Sequence, residues 1–162
     1  MSDITAWRIV SERFTAPPCD PFDGEGAKTF GGRWNRKGVP MVYLSGAVSL
    51  AILEVLVHSG KLDQLAEMVM LSVSFRPEDV RVVDAAELTA RWFDDETAAE
   101  TRRIGDEWVR SAETPILKVP SAVLPVEFNY LLNPAHPHFA RIRANATPKQ
   151  NLPLDQRLLQ VS

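Results

Sequence analysis

The sequence has little cysteine: Cys19 is the single one among 162 residues. An internal disulfide is therefore excluded, and this usage fits a reducing compartment. The chain also lacks an apolar run of the roughly 18 residues that a membrane span needs. Its first residues lack the basic-then-apolar order of a signal peptide. We therefore expect a cytoplasmic protein that has no membrane partner.

Positive charge is not in excess either. The formal net charge is −3, which argues against a surface for direct nucleic-acid binding, since such surfaces tend to be basic. Hydrophobic residues make up 45% and charged residues 24%, an ordinary globular composition. No linker or internal repeat divides the chain, so its length predicts a single domain over residues 1–162.

Several motifs of familiar chemistry are missing. There is no GxGxxG after a strand, no phosphate-binding GxxxxGK[ST] and no GxSxG nucleophile elbow. No cysteine pair suggests a zinc site, and His136 and His138 flank Pro137 in what reads as a turn with exposed imidazoles. We expect no metal.

The order of apolar and polar residues predicts a mixed α+β domain rather than a doubly wound parallel sheet, because strands and helices alternate irregularly. Thr15 to Gly32 is rich in Pro, Gly and Asp and predicts a long, functional loop. Gly105 falls within a run of helix formers that could be one helix or two. The predicted strands are Ala6–Val10, Met41–Leu44, Met70–Phe75, Val80–Asp84 and Pro115–Pro120, and the predicted helices are Ser49–His58 and Ala85–Arg110.

The helix around Glu54 draws attention because residues 50–57 are apolar on every face except for this one carboxylate. A helix that is hydrophobic all round is usually buried. An isolated buried carboxylate must be paired, hydrogen-bonded or neutralised. Arg33, in Gly-Gly-Arg-Trp-Asn, is the nearest unusual cation. Its rigid fork suits a phosphate or a carboxylate, including a structural salt bridge to Glu54 itself.

Other polar and aromatic residues of this stretch stay ambiguous from spacing alone. Trp34 and Tyr43 can serve as core residues or as ring-stacking residues. Asn35 reads as a turn residue, and Ser121 reads as a loop serine. Composition and spacing therefore predict only an anion-binding cleft.

The ordered set of motifs resembles the RES-domain toxins, a family named for an Arg, a Glu and a Ser. The matching positions here are Arg33, Glu54 and Ser121. The resemblance covers nearly the whole chain. It is carried by Trp7-Arg8-Ile9, Gly24-Glu25-Gly26-Ala27, Gly31-Gly32-Arg33-Trp34-Asn35, Val42-Tyr43-Leu44-Ser45, Leu50 to His58, Pro120-Ser121-Ala122-Val123, Asn129 to Pro134 and Asp155-Gln156-Arg157-Leu158.

The resemblance implies an ADP-ribosyltransferase-like fold with a mixed or split β-sheet and flanking helices. It implies a toxin enzyme, an NAD⁺ phosphorylase or glycohydrolase, that breaks the nicotinamide–ribose bond with phosphate or water as acceptor. NAD⁺ is then the substrate, inorganic phosphate a co-substrate, and no prosthetic group is needed. The implied catalytic residues are Arg33, Tyr43, Glu54 and Ser121, and the implied NAD⁺-binding residues are Arg8, Trp34, Asn35 and Asn129.

Each catalytic residue receives an expected role from the resemblance. Glu54 holds a ribose hydroxyl and offsets developing positive charge, as carboxylates do in sugar hydrolysis. Arg33 holds the diphosphate or the attacking phosphate. Tyr43 faces the nicotinamide or the ribose. Ser121 hydrogen-bonds the substrate or fixes Glu54.

The resemblance also implies a partner, an Xre-type antitoxin with a helix-turn-helix domain that covers the mouth of the cleft, and it allows a homo-oligomer within that complex. Two other functions stay open. One is an ADP-ribosyltransferase that modifies a macromolecule. The other is a non-catalytic nucleotide-binding module in which Arg33 and Glu54 form a structural pair.

Overall fold

The computed structural model describes residues 1–160. These residues form one seven-stranded sheet in the order β4-β5-β6-β2-β1-β3-β7. Only β4 and β5 run parallel, and the other neighbours are antiparallel, so the predicted mixed α+β architecture is confirmed. The strands are β1 (Ile4–Ser11), β2 (Val42–Ser45), β3 (Met68–Phe75), β4 (Val80–Val82), β5 (Ile116–Pro120), β6 (Phe128–Leu132) and β7 (Gln150–Asn151). The α-helices are α1 (Glu25–Phe30), α2 (Val48–Ser59), α3 (Ala98–Ser111) and α4 (Phe139–Arg143).

The sheet carries a hydrophobic core on each face, because successive side chains of a strand point to opposite sides. On β6, Tyr130 and Leu132 belong to one core while Leu131 belongs to the other. The first core includes Phe22 from the long loop and Ile142 from α4. The second core contains three tryptophans, Trp34, Trp92 and Trp108.

The sheet opens between β1 and β2. β1 pairs with β3 along all eight of its residues, from Ile4 opposite Phe75 to Ser11 opposite Met68. Its pairing with β2 is limited to Trp7 opposite Ser45. Beyond that pair, the Nη1 of Arg8 donates a 3.0 Å hydrogen bond to the carbonyl oxygen of Tyr43, so a side chain bridges the strands where the backbone ladder has ended. The sheet is therefore split at its middle, as the predicted class allowed.

Two predicted segments differ from the structure. The long loop contains α1, which Gly31 ends with φ of +73°. The run predicted as helix from Ala85 becomes α-helical only at Ala98. Before it, Asp84 accepts from the backbone N–H of Ala86, and Thr97 donates to the carbonyls of Arg91 and Asp94. Such local side-chain bonds compete with the helical ladder, which explains the late start.

The expectation that the helix around Glu54 is buried on all sides is wrong. α2 packs against β1 and β2, and it buries Leu50 and Ala51. Leu53 and Val57, by contrast, are 40% and 65% exposed, so the helix is not enclosed on every side. Glu54 is one turn after Leu50 and Ala51, so it lies on the packed face of the helix, and it is half-buried. None of the helices within residues 1–160 has both the length and the hydrophobicity for crossing a membrane.

Gly105 does not divide α3. It is buried within the helix, and a Cβ added there would overlap the carbonyl oxygen of Trp34. The missing side chain thus lets the loop that carries Trp34 lie directly on the helix.

We expect Gly105→Ala to lower the free energy of unfolding by about 1–3 kcal/mol, because the overlap with Trp34 displaces the loop. Helix propensity alone would raise it by about 1 kcal/mol. Gly26→Ala is the matched control, since a Cβ there meets no atom within 4 Å in α1 and should be neutral or stabilising. Urea unfolding of both variants measures the difference, and a stabilised Gly105→Ala protein would contradict the packing argument.

Candidate active site

The carboxylate of Glu54 is held by two side chains from the far end of the chain. Its Oε1 accepts a 2.8 Å hydrogen bond from the Oγ of Ser121 and a 2.6 Å hydrogen bond from the Nδ2 of Asn129. Within residues 1–160, no group donates a hydrogen bond to Oε2. One carboxylate oxygen is therefore fixed, and the other is available to a ligand.

The hydroxyl of Ser121 can donate only to Glu54. Ser121 directly follows β5 and is fully buried. Its Oγ accepts from the backbone N–H groups of Val123 and Leu124, both at 3.1 Å. Since two donors already occupy the oxygen, its single hydrogen points at the carboxylate. Ser121 thus positions Glu54 and does not itself reach a ligand.

Asn129 also has a fixed orientation. Its Nδ2 faces Glu54, and the reverse orientation would set two acceptor oxygens against each other. Its Oδ1 is buried and has no hydrogen-bond partner among the described residues. A buried polar atom without a partner is costly, and it often awaits a ligand or a water. Asn129 and Glu54 both line a cleft of about 670 Å³ beside the opening of the sheet.

Arg8 contributes the cation of this cleft. Burial lowers the pKa of its guanidinium to about 10, and the nearby carboxylates of Asp23 and Asp20 oppose that change. Arg8 therefore stays charged at neutral pH. Its Nε is buried and has no partner within residues 1–160. The cleft thus combines a cation, a carboxylate and two polar atoms without partners.

Tyr43 and Asn35 tie the Gly-Gly-Arg-Trp-Asn loop to β2. The hydroxyl of Tyr43 accepts from the backbone N–H of Trp34 at 3.0 Å and donates to the Oδ1 of Asn35 at 2.7 Å. Burial raises the pKa of Tyr43, so the hydroxyl stays protonated. The Nδ2 of Asn35 donates to the carbonyls of Ala27, Arg36 and Val39. The hydroxyl of Tyr43 and the amide of Asn35 are thus occupied by hydrogen bonds that hold the loop.

Trp34 belongs to the core. It is 2% exposed, and its ring centroid lies 6.1 Å from that of Trp92. Its position agrees with the core alternative and leaves no ring face for stacking on a ligand.

Arg33 is not paired with Glu54. It donates to the carbonyl oxygen of Asp94 at 2.8 Å and to the Oδ1 of Asp95 at 3.0 Å. The considered salt bridge to Glu54 is therefore wrong, because Glu54 is held by Ser121 and Asn129 instead. Arg33 does not line the cleft that contains Glu54. Instead, the side chain of Arg33 lies against the segment that precedes α3 and contains Asp94 and Asp95.

The structure thus brings together only part of the implied site. Glu54, Ser121 and Asn129 form one hydrogen-bonded group, and Arg8 and Tyr43 line the same cleft as Glu54 and Asn129. Arg33, Trp34 and Asn35 lie in the adjacent loop. Sequence reasoning missed His58, which lines the same cleft. The signal for it was present, since His58 follows Glu54 by four residues and so shares its face of α2.

Residues 5–155 match the family model described as the RES domain. A protein of Yersinia enterocolitica named "Toxin Res" is 37% identical over 142 residues, 88% of this chain and 91% of that protein. A Sphingobium protein named "Prs ADP-ribosylating toxin" is 36% identical over 149 residues, 88% of this chain and 90% of that protein. The "NAD(+) phosphorylase MbcT" of Mycobacterium tuberculosis is 32% identical over 106 residues, 63% of this chain and 56% of that protein.

Proposed function

The chain belongs to the RES domain family, and on that premise we propose that it is a toxin enzyme that cleaves NAD⁺ between nicotinamide and ribose. The observation that carries the proposal is the geometry of Glu54. Its carboxylate is fixed by Ser121 and Asn129 at the wall of a cleft that also contains the Arg8 cation. The printed names of two relatives, an ADP-ribosylating toxin and an NAD(+) phosphorylase, support the choice of NAD⁺.

Cleavage of this bond passes through an oxocarbenium-like state, in which the ribose carries positive charge. The Oε2 of Glu54 accepts a hydrogen bond from a ribose hydroxyl, and the negative carboxylate stabilises the positive charge of the ribose. Nicotinamide leaves as a neutral base, so no strong general acid is required. The Oδ1 of Asn129, which is buried and lacks a partner within residues 1–160, accepts a hydrogen bond from the same half of the substrate.

The anionic part of NAD⁺ needs a cation. Arg8 lines the cleft with Glu54, and its guanidinium suits a diphosphate oxygen. Arg33 remains a proposed phosphate ligand from the adjoining loop. Its partner Asp95 is fully exposed, and an exposed ion pair contributes only about 0–1 kcal/mol. An incoming phosphate can therefore take the place of Asp95 on Arg33.

The acceptor is phosphate or water in the leading proposal. Transfer of ADP-ribose to a macromolecule is the second candidate, and it is favoured by the name of the Sphingobium relative. The products separate these reactions. Phosphorolysis gives ADP-ribose phosphate, hydrolysis gives ADP-ribose, and transfer gives a labelled macromolecule.

We expect the purified protein to release nicotinamide from NAD⁺, and Glu54→Gln to lower turnover about 100-fold or more, the scale for losing one electrostatic stabiliser. Glutamine keeps an oxygen for the two donors, but it removes the negative charge and replaces the Oε2 acceptor by an amide group that only donates. Mass spectrometry with and without phosphate identifies the products.

Glu107→Gln serves as the control, because Glu107 is exposed on α3 and pairs only with Arg103 within residues 1–160. A folded wild-type protein that releases no nicotinamide would refute the proposal. Full turnover by Glu54→Gln would refute the role of Glu54.

A second prediction separates the two roles of Arg33. If Arg33 binds phosphate, Arg33→Ala should abolish turnover while Asp95→Ala leaves turnover within about twofold, since Asp95 is a weak exposed partner. If Arg33 only orders the loop through Asp95, the two variants should lose activity and melting temperature together. Steady-state rates and thermal melts of both variants decide between the two roles.

A third prediction concerns the partner. A protein that drains NAD⁺ harms its host unless it is restrained, and the name "Toxin Res" supports a toxin–antitoxin pair. The proposed antitoxin is an Xre-type helix-turn-helix protein that covers the cleft. Expression of this chain alone should arrest growth and lower cellular NAD⁺, and co-expression of a neighbouring helix-turn-helix protein should restore both. Harmless expression of active, folded protein would count against the toxin function.

A further inference from the structure

Two cavities meet at Arg8. A second cavity of about 740 Å³ adjoins the 670 Å³ cleft that contains Glu54. The two share five lining residues, Arg8, Phe14, Phe30, Gln64 and Met68. They therefore form two chambers of one groove. We call them the Glu54 chamber and the second chamber, and Arg8 lies at their junction.

Two exposed phenylalanines border this junction. Phe14 is 47% and Phe30 79% exposed. Phe30 ends α1, and the left-handed backbone of Gly31 turns the chain directly after it, which leaves the ring in solvent. The guanidinium of Arg13 lies 4.7 Å from the ring centroid of Phe14. An exposed phenyl ring offers an apolar face on which a planar heterocycle can stack, and Phe30, the more exposed of the two, offers more of it.

Carboxylates line the second chamber: Asp20, Asp23, Glu25 and Glu67. Asp20 and Glu25 form salt bridges with Arg143 and Lys28. Asp23 and Glu67 form none with any residue of 1–160. The Oδ1 of Asp23 accepts from the backbone N–H of Glu25, which leaves its Oδ2 and the carboxylate of Glu67 to accept hydrogen bonds from hydroxyl groups. Their negative charge opposes a further anion in this chamber.

We infer that the second chamber binds the adenosine half of NAD⁺ and discriminates against a 2′-phosphate on that half. The inference rests on the proposed function, which assigns the nicotinamide half to the Glu54 chamber. The diphosphate that joins the halves then passes Arg8, whose buried Nε has no other partner within the described residues.

Within this arrangement, adenine stacks on Phe30 and Phe14. The 2′- and 3′-hydroxyls donate to Asp23 and Glu67. A 2′-phosphate replaces a donor by about two negative charges next to these carboxylates, so the enzyme selects NAD⁺ over NADP⁺.

The test measures binding, so that it does not depend on turnover. By calorimetry, ADP-ribose should bind wild-type protein at least about tenfold more tightly than ADP-ribose 2′-phosphate, because of the charge repulsion. Failure to bind ADP-ribose, or equal affinity for the two ligands, would overturn the inference. Selective binding without any nicotinamide release would refute the proposed reaction alone.

A double variant tests the source of the selectivity. Asp23→Asn with Glu67→Gln should reduce the preference to less than about threefold, since both charges are lost. Asparagine keeps the acceptor that Asp23 offers to the backbone N–H of Glu25. Asp63→Asn with Glu107→Gln makes the same change in net charge at exposed carboxylates outside both chambers, and it should keep the preference. An unchanged preference in the first variant would overturn the assigned role of the carboxylates.

Substitutions of Phe30 test the proposed adenine site independently of the carboxylates. Phe30→Ala should weaken ADP-ribose binding about fivefold or more, the scale of a lost stack between a base and an aromatic ring. Phe30→Trp should retain binding, because it keeps an aromatic face. Since Phe30 is an exposed side chain, neither change should alter the melting temperature. Equal affinity of the alanine and tryptophan variants would place the adenine elsewhere.

Discussion

The cleft depends on the early end of the β1–β2 ladder. A continuous ladder would place backbone bonds where Arg8 now spans the gap to the Tyr43 carbonyl. A side chain can bridge a gap that backbone groups cannot, and it brings a charge with it. The opening thus produces two features at once, a groove through the middle of the sheet and a cation at its centre. On the other side of β1, all eight residues pair with β3, so β1 stays anchored in the sheet although it has lost most of its pairing with β2.

The Gly-Gly-Arg-Trp-Asn motif is best understood as a scaffold that holds the partly exposed side chain of Arg33. Asn35 and Tyr43 satisfy backbone and side-chain groups of the loop, and Trp34 anchors it in the core. A buried polar network of this kind is stabilising only when every member is satisfied, which explains why such specific residue types stand together. Asn35, Tyr43 and Trp34 thus hold the loop in place. The side chain of Arg33 points away from the core, toward Asp95.

The sequence predicted most of the strands, and the need of Glu54 for hydrogen-bond partners, better than it predicted which residues are in contact. Alternation is a local property, so β3 and β5 could be located, and a carboxylate on an apolar helix calls for partners wherever it lies. The partners themselves lie 67 and 75 residues away, and the resemblance suggested only Ser121 as a residue that fixes Glu54. The partner of Arg33 is 62 residues distant in sequence, and nothing local indicated it. Gly105 looked like a helix breaker because its reason, the nearby Trp34 carbonyl, exists only in the folded chain.

The choice of donors around Glu54 has a chemical consequence. An arginine in direct contact would also hold the carboxylate, but it would offset the negative charge that the proposed reaction uses to stabilise an oxocarbenium-like state. Ser121 and Asn129 are neutral, so they fix one oxygen without placing an opposite charge beside the carboxylate. The cation of the cleft is instead Arg8, which meets the Tyr43 carbonyl rather than the carboxylate. The position of the Glu54 carboxylate and the positive charge of the cleft are therefore set by different residues. This separation is what a site needs if it is to hold an anionic diphosphate and stabilise a cationic ribose in the same cleft.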